Sequence, residues 1–250
     1  MGFSTKQVHA GVKPDPITGA ILTPVYQSTT FVQESVDEYL SKGYSYSRSG
    51  NPTVAALEEK IAVLEGGAAC TAYATGMAAI QAVIQATLSA GDHAIVSDVA
   101  YGGTYRLCTT VYARYGVEFS FVDTSDPAAV SAAIRDNTKL IMTETPANPT
   151  LKLTDIAAVS EVAQAAGIPH VVDNTFLTPY YQRPLELGAD ISLHSTTKFM
   201  EGHNVSVGGS ITAANKDHLE QIMFVRNCLG SNMTPVSYTH LTLPTTGIRG

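Results

Sequence analysis

The sequence predicts an α/β fold with a mostly parallel sheet, and three observations support this prediction. Between residues 53 and 173, short apolar and β-branched runs alternate with segments of helical periodicity. Strands that are separated by helices pair in parallel through right-handed crossovers, which place helices on both faces of the sheet. The chain has 250 residues, of which 44% are apolar and 15% are charged, so it can bury a sizeable core. We therefore expect a single large α/β domain.

Each element follows from a local signal after an irregular arm that is expected to end at about residue 52. The first helix is predicted from Thr53 to the Gly66–Gly67 stop, because Leu57, Ile61 and Leu64 share one face. Further helices are predicted at 76–89, 104–115, 127–135 and 154–166, and strands are predicted near residue 71 and at HAIVS, VEFSFV, KLIMTE and HVVD. A further strand-like apolar segment leads into STTK at 195–198.

Composition argues against several classes of partner. The net charge of −7 is spread along the chain, which argues against a nucleic-acid or anionic-membrane surface. No apolar run approaches the roughly 20 residues that span a bilayer, and the first residues lack a signal-peptide core, so we expect a cytoplasmic protein. The three cysteines, Cys70, Cys108 and Cys228, have no metal-type spacing. We expect buried, inert thiols in a reducing compartment, and no metal site.

Chemically useful residues fall where predicted strands end. In parallel sheets, ligands bind beyond the carboxyl ends of the strands. Asp173 ends HVVD, where burial of an unpaired carboxylate is costly, so a cationic partner is expected. Gly76 and Met77 begin an Ala-rich helix whose free N–H groups suit a phosphate. Lys198 follows hydroxyl residues in STTK, whereas neither a P-loop nor a G-x-G-x-x-G pattern is present.

A phosphate site, an amine and a buried carboxylate together are what pyridoxal 5′-phosphate requires. The amine bonds to the aldehyde, the carboxylate keeps the ring nitrogen protonated, and hydroxyls with a helix N-terminus hold the phosphate. Each motif alone also has a structural explanation. Lys198 can be a solvated surface lysine, and Asp173 can be a helix cap or turn former. Their joint arrangement, with Asp173 preceding Lys198 by 25 positions, favours the cofactor site.

Seven motifs resemble the Cys/Met-metabolism family of pyridoxal-phosphate enzymes and occur in that family's order. They are TPVYQSTTF, YSYSRSGNPT, ATGMAAI, YGGTYRL, ETPANPT, VVDNTFLTPYYQRPLELGADI and STTKFMEGHN. The resemblance runs from about residue 5 to about residue 235. It implies the large domain of a fold type I pyridoxal-phosphate transferase, with its sheet flanked by helices. It also implies a homodimer or homotetramer with shared active sites.

The resemblance assigns a role to each matching residue. Lys198 is similar to the lysine that bonds to the cofactor and moves protons, and Asp173 to the partner of the ring nitrogen. Tyr101 resembles the tyrosine that stacks on the ring and assists proton transfer, and Asn148 resembles the residue near the ring's 3-oxygen. The remaining residues are expected at the phosphate: Gly76, Met77, Ser195 and Thr197 in the same chain, and Tyr46 and Arg48 from the neighbouring subunit. His203 is expected to hold a loop.

The implied function is sulfur amino-acid metabolism by γ-elimination or γ-replacement on cystathionine or an O-acylhomoserine. The rivals are a homoserine-ester sulfhydrylase and a methionine γ-lyase, although methionine γ-lyases carry a cysteine where this chain has Gly103. Two further hypotheses stay open: a catalytically silent cofactor-binding fragment, and an interaction protein in which these residues are structural. Which substrate is used is not determined by the sequence.

Three segments are expected along the chain. Residues 1–52 would form the arm that reaches the partner subunit, and residues 53–236 the cofactor-binding domain. Residues 237–250, SYTHLTLPTTGIRG, have no counterpart in the resemblance and are expected to be a non-native tail. The family's smaller C-terminal domain, which supplies an arginine for the substrate carboxylate, is expected to be missing.

Overall fold

The computed structural model describes residues 1–37 and 43–240, and within this part of the chain seven strands form one sheet. The strands are β1 (Ala69–Tyr73), β2 (His93–Ser97), β3 (Glu118–Val122), β4 (Thr138–Glu144), β5 (His170–Asp173), β6 (Ile191–His194) and β7 (Gly209–Ala213). Their order across the sheet is β1-β7-β6-β5-β4-β2-β3. Four of the six neighbouring pairs are parallel and the two that involve β7 are antiparallel, so the prediction of a mostly parallel sheet is confirmed.

Helices cover both faces of this sheet, as the alternation predicted. They are α1 (Phe3–His9), α2 (Pro52–Glu65), α3 (Gly76–Thr87), α4 (Gly102–Arg106), α5 (Pro127–Ala132), α6 (Ile156–Ala166), α7 (Thr178–Tyr181), α8 (Asp217–Leu229) and α9 (Pro235–His240). Leu140 packs with residues of α3 and α8 on one face, whereas its neighbour Ile141 packs with Val130 and Val159 on the other. None of the helices in the described residues is long and apolar enough to cross a membrane.

Strand β7 was not predicted, and its direction is opposite to that of its two neighbours in the sheet. It pairs antiparallel with both β6 and β1. Its sequence, GSITA, carries two hydroxyl residues that are fully buried in the sheet. The apolar signal on which strand prediction relies is therefore weak here, although the strand lies inside the sheet between β1 and β6.

The segment predicted as one helix at 104–115 is helical but does not form a single regular α-helix. α4 ends at Arg106, a π-helical turn follows at Leu107–Val111, and a 3₁₀ turn at Tyr112–Tyr115 completes the segment. The Thr109 hydroxyl donates to the Tyr105 carbonyl at 2.8 Å. Such bonding of a side chain to the preceding turn competes with the regular helical ladder, as does the β-branched run that ends in Val111.

Two other expectations need correction. The arm before residue 52 is not wholly irregular, because α1 forms at Phe3–His9 and Phe3 packs against the α2 core cluster. The cysteines are not all buried, because Cys228 is exposed on α8 whereas Cys70 and Cys108 are buried. Cys228 lies in an amphipathic helix, one side of which faces solvent.

His170 lies at the start of β5, at the edge of the sheet opposite to the predicted site. Its ring is fully buried between the hydroxyls of Thr143 and Ser160, each 2.9 Å away. Burial lowers the pKa of His170 to about 3. The folded chain therefore holds a neutral ring at pH values where an unfolded chain, with an ordinary histidine pKa of about 6.5, takes up a proton.

This difference predicts a specific acid sensitivity. As pH falls from about 6.5 towards 3, the unfolded state binds the extra proton, and His170 should reduce the free energy of unfolding by up to about 1.4 kcal/mol per pH unit. Urea unfolding of the wild type and of His170→Gln between pH 7.5 and pH 5 measures this contribution. The wild type should lose more stability than the variant over this range, and equal losses would contradict the prediction.

Candidate active site

A cavity of about 280 Å³ opens at the carboxyl ends of β4, β5 and β6. Because β7 runs antiparallel, the start of β7 lies at the same edge, and so does the turn from β1 into α3. Eight of the ten residues predicted from the sequence line this cavity: Gly76, Met77, Tyr101, Asn148, Asp173, Ser195, Thr197 and Lys198. These residues thus meet at the edge of the sheet where the strand-end argument expected them.

Asp173 is the buried anion at the base of the cavity. One of its oxygens accepts hydrogen bonds from the backbone N–H of Thr175 at 3.0 Å and from the Thr175 hydroxyl at 2.5 Å. Burial raises the pKa of Asp173, while these two bonds and the nearby His194 act in the opposite direction. Among the described residues, no ion pair includes Asp173. The cationic partner expected from the sequence is thus not a side chain of this chain's described part.

Glu144, the last residue of β4, is a half-buried carboxylate that the sequence reasoning missed. It lies directly opposite Asp173 in the parallel register of β4 and β5. Burial, followed by the negative charge of Asp173, raises the pKa of Glu144 to about 7. The signal was available, because Glu144 follows the apolar run LIMT just as Asp173 follows HVV.

The other end of the cavity is formed by the start of α3. The Thr75 hydroxyl caps this 12-residue helix by accepting from the Ala78 N–H at 3.0 Å. A Cβ atom at Gly76 would lie 2.6 Å from the Cβ of Ser195, so only glycine lets the helix start approach the serine this closely. The N–H groups and the positive end of the helix, together with the Ser195 hydroxyl, can hold a phosphate.

Lys198 lies in a turn between β6 and β7 and its side chain is exposed to the same cavity as Asp173. The Thr197 hydroxyl closes the segment 195–208, because it accepts from the Gly208 N–H at 3.0 Å and lies 3.2 Å from the Gly208 carbonyl. The Thr197 hydroxyl, which was predicted to contact the phosphate, therefore also holds the two ends of this segment together. His203 bonds to the Glu201 carbonyl through Nδ1 at 2.8 Å, which agrees with its expected loop-holding role.

Tyr101 stands at the mouth of the cavity and remains 44% exposed. Its ring lies against Gly103, where an added Cβ would overlap the ring. A side chain at position 103 would therefore push the ring from its present place. The backbone N–H of Tyr101 donates to the carboxylate of Glu144 at 2.6 Å, which links Tyr101 to the end of β4.

Tyr46 and Arg48 are the two predicted residues that do not line this cavity. The Arg48 Nε donates to the Asn227 side chain at 3.2 Å, and its Cζ lies 5.4 Å from the centre of the Tyr46 ring. The two residues lie next to each other, so they could reach one anion together.

The close approach of Gly76 and Ser195 predicts a sharp steric effect. Gly76→Ala should destabilise the protein by about 1–3 kcal/mol, because its methyl group meets the Ser195 Cβ and backbone. Gly102→Ala is the matched control, since it also lies in the first turn of a helix and would meet only the flexible Arg106 side chain at 3.4 Å. Urea unfolding compares the two variants. Similar stabilities for both would show that position 76 tolerates a side chain.

Comparison with known proteins identifies the relatives of this chain. A family model described as "Cys/Met metabolism PLP-dependent enzyme" matches residues 4–249. The chain is 47% identical over 230 residues to a probable cystathionine γ-synthase of Herpetosiphon aurantiacus, covering 92% of this chain and 71% of the relative. It is 47% identical over 235 residues to cystathionine γ-lyase of Bacillus subtilis, covering 94% and 61%.

The similarity extends to structure and to a third reaction. A crystal structure of cystathionine γ-lyase from Lactobacillus plantarum in complex with L-serine superposes with a TM-score of 0.93 at 45% identity, covering 97% of this chain and 62% of that one. Cystathionine β-lyase of Lactococcus lactis is 46% identical over 233 residues, covering 93% of this chain and 60% of the relative. The chain therefore spans about three fifths of the length of most of these relatives.

Proposed function

The chain belongs to the Cys/Met-metabolism family of pyridoxal-phosphate-dependent enzymes, and from this premise we propose that the whole protein performs γ-elimination or γ-replacement on cystathionine or an O-acylhomoserine. One observation carries the proposal: Lys198, Asp173 and the start of α3 line a single cavity. An amine, a buried carboxylate and a phosphate-binding helix end are the three groups that this chemistry requires.

The residues present fit the cofactor. Asp173 is a buried carboxylate for which the described chain supplies no ion pair, so a protonated ring nitrogen would complement it. Gly76 leaves room beside Ser195 at the positive end of α3, which suits a phosphate dianion. Met77 and Thr197 complete the proposed phosphate contacts. When bound, pyridoxal phosphate supplies an electron sink that makes the proton on the substrate Cα removable.

The chain's own residues would then bind, orient and move protons. We assign Lys198 Nζ to the covalent link with the cofactor and, once free, to removal of the Cα proton of the substrate. Tyr101, at the mouth of the cavity, is the acid proposed for the γ-leaving group and the aromatic proposed to cover the ring. Asn148 is proposed to orient the ring through the 3-oxygen.

A complete site is proposed to require a second copy of the chain. Tyr46 and Arg48 do not line the cavity of their own chain, which supports the expectation that they serve a neighbouring one. Arginine suits this role because its guanidinium binds phosphate through two parallel hydrogen bonds. The arm at 1–52, the foreign nature of 237–250, the cytoplasmic location and the choice between dimer and tetramer remain predictions.

Which reaction occurs is a finer question than the family. Relatives named for γ-synthase, γ-lyase and β-lyase activity are 44–47% identical to this chain, so overall identity does not separate them. β-Elimination therefore joins the reactions to be tested. Gly103 favours cystathionine chemistry over methionine γ-lyase, because a cysteine there would displace the Tyr101 ring from its present position.

The lysine assignment is tested by adding pyridoxal phosphate to the chain and reducing the complex with borohydride. The wild type should gain a visible absorption band, and reduction should fix the cofactor on the peptide that contains Lys198. Lys198→Ala should lose both signals, because no other amine lines the cavity in the described residues. Lys139→Ala, an exposed lysine on β4, is the control and should behave like the wild type. A reducible adduct that persists in Lys198→Ala would refute the assignment.

The reaction is tested with the chain alone and with the whole protein. Release of a 2-oxo acid from cystathionine reports elimination, and formation of cystathionine from cysteine and an O-acylhomoserine reports replacement. Sulfide with a homoserine ester, and methionine, test the two rivals. Cofactor binding without any product in either preparation would favour the catalytically silent protein. Absence of cofactor binding would favour the interaction protein.

A further inference from the structure

The carboxylate of Glu144 connects two backbone segments that flank the cavity. Its Oε2 accepts from the Tyr101 N–H at 2.6 Å, and its Oε1 accepts from the Asn148 N–H at 3.0 Å. The first segment precedes α4, and the second follows β4, so the two bonds hold parts of the chain that come from different strands. We propose that Glu144 is a positioning residue whose ionised carboxylate holds Tyr101 and Asn148 in place, and that a cation bound at Asp173 strengthens this hold.

The need for the ionised form follows from donor and acceptor counts. A carboxylate has two oxygens that both accept, and here each oxygen meets one N–H group. Protonation turns one of these oxygens into a hydroxyl, which is a much weaker acceptor than a carboxylate oxygen, so one of the two bonds is weakened. The Tyr101 side chain makes no capping bond at the start of α4, so the bond to Glu144 joins the Tyr105 N–H bond to the Tyr101 carbonyl in holding this backbone. Loss of the charge on Glu144 should therefore loosen Tyr101 or Asn148.

The dependence on Asp173 follows from the strand register. Glu144 and Asp173 are direct neighbours in β4 and β5 and both line the cavity. The other titratable groups that line it in the described chain are Tyr101, ahead of α4, and Lys198, after β6, while His194 of β6 acts on Asp173. Burial, and after it the charge of Asp173, opposes ionisation of Glu144 and raises its pKa to about 7. A cation beside Asp173 removes part of that opposition.

Thermodynamic linkage determines whether cation binding strengthens or weakens as the pH rises. The bound cation favours ionised Glu144, so ionised Glu144 must favour binding of the cation by the same factor. Near neutral pH, binding should release a fraction of a proton from Glu144. Affinity for a cofactor-like cation should rise with pH through about 7 and level off above it, because there Glu144 is already ionised before binding.

This inference rests on the proposed cofactor site, so the probe must distinguish failure of the Glu144 role from failure of the cofactor site itself. 4′-Deoxypyridoxine 5′-phosphate carries the ring and the phosphate but no aldehyde, and it therefore binds without a covalent bond to Lys198. Its affinity is measured by isothermal titration calorimetry at pH 6, 7 and 8, in two buffers with different ionisation enthalpies so that released protons are counted. Changes in the phosphate group's own ionisation are common to every variant and cancel in the comparison.

Glu144→Gln is the main variant, because glutamine can accept only one of the two N–H bonds and has no charge to couple. Between pH 6 and pH 8 the wild-type affinity should rise about five- to tenfold more than that of Glu144→Gln, as expected for one linked proton. Glu118→Gln changes an exposed carboxylate paired with Arg135, away from the cavity, and should keep the wild-type profile. Glu144→Asp retains the charge and should retain part of the pH dependence.

Each outcome decides the matter. Proton release near pH 7 that is larger in the wild type than in Glu144→Gln supports the proposal, and equal release in the two would overturn it. If Glu144→Gln does not fold, the wild-type proton count with Glu144→Asp still tests it, and no proton release would overturn it. An affinity loss in Glu144→Gln that is equal at all three pH values would mean that Glu144 only supports packing, which would also overturn it. No binding by the wild type would overturn the proposed cofactor site together with this inference.

Discussion

The structure of the site depends on the cost of burying negative charge at the ends of parallel strands. β4 and β5 both end in a carboxylate, and the register places Glu144 and Asp173 side by side. Burial raises the pKa of both carboxyl groups, and the charge of Asp173 raises that of Glu144 further, whereas hydrogen bonds to each group act in the opposite direction. Backbone N–H groups bond to both oxygens of Glu144, whereas within residues 1–37 and 43–240 the Asp173 carboxylate accepts hydrogen bonds from Thr175 alone. Because Asp173 has fewer hydrogen-bond partners than Glu144, it is the carboxylate with an oxygen left to face a cation.

Much of this arrangement could be predicted because the responsible signals are local. Apolar runs followed by Asp173 or by STTK mark strand ends, and the parallel topology brings all such ends to one edge. Glycine at position 76 similarly marks a close backbone approach that needs no knowledge of its partner. These signals were sufficient to bring eight predicted residues into one cavity.

The parts that could not be predicted depend on partners far along the chain. The bond from Tyr101 to Glu144 joins residues 43 positions apart, and no sequence pattern encodes such a pairing. β7 was missed because its buried hydroxyls hide the apolar signal, and its place between β1 and β6 is a property of the whole sheet. The π-helical turn after α4 arises from a side-chain bond that competes with the helix. The intrinsic helix and strand propensities of the residues contain no information about these three features.

The reversal at β7 also affects how the site can change during evolution. Segment 195–208 leaves and re-enters the sheet at the same edge, so no crossover helix depends on its length. Its outer residues, 202–205, are exposed, whereas Ser195 and Gly208 are fixed at its two ends. Insertions into the outer half can therefore reshape the entrance above the lysine without moving either strand. The entrance to the cavity can therefore vary in sequence and length independently of the strand ends below it.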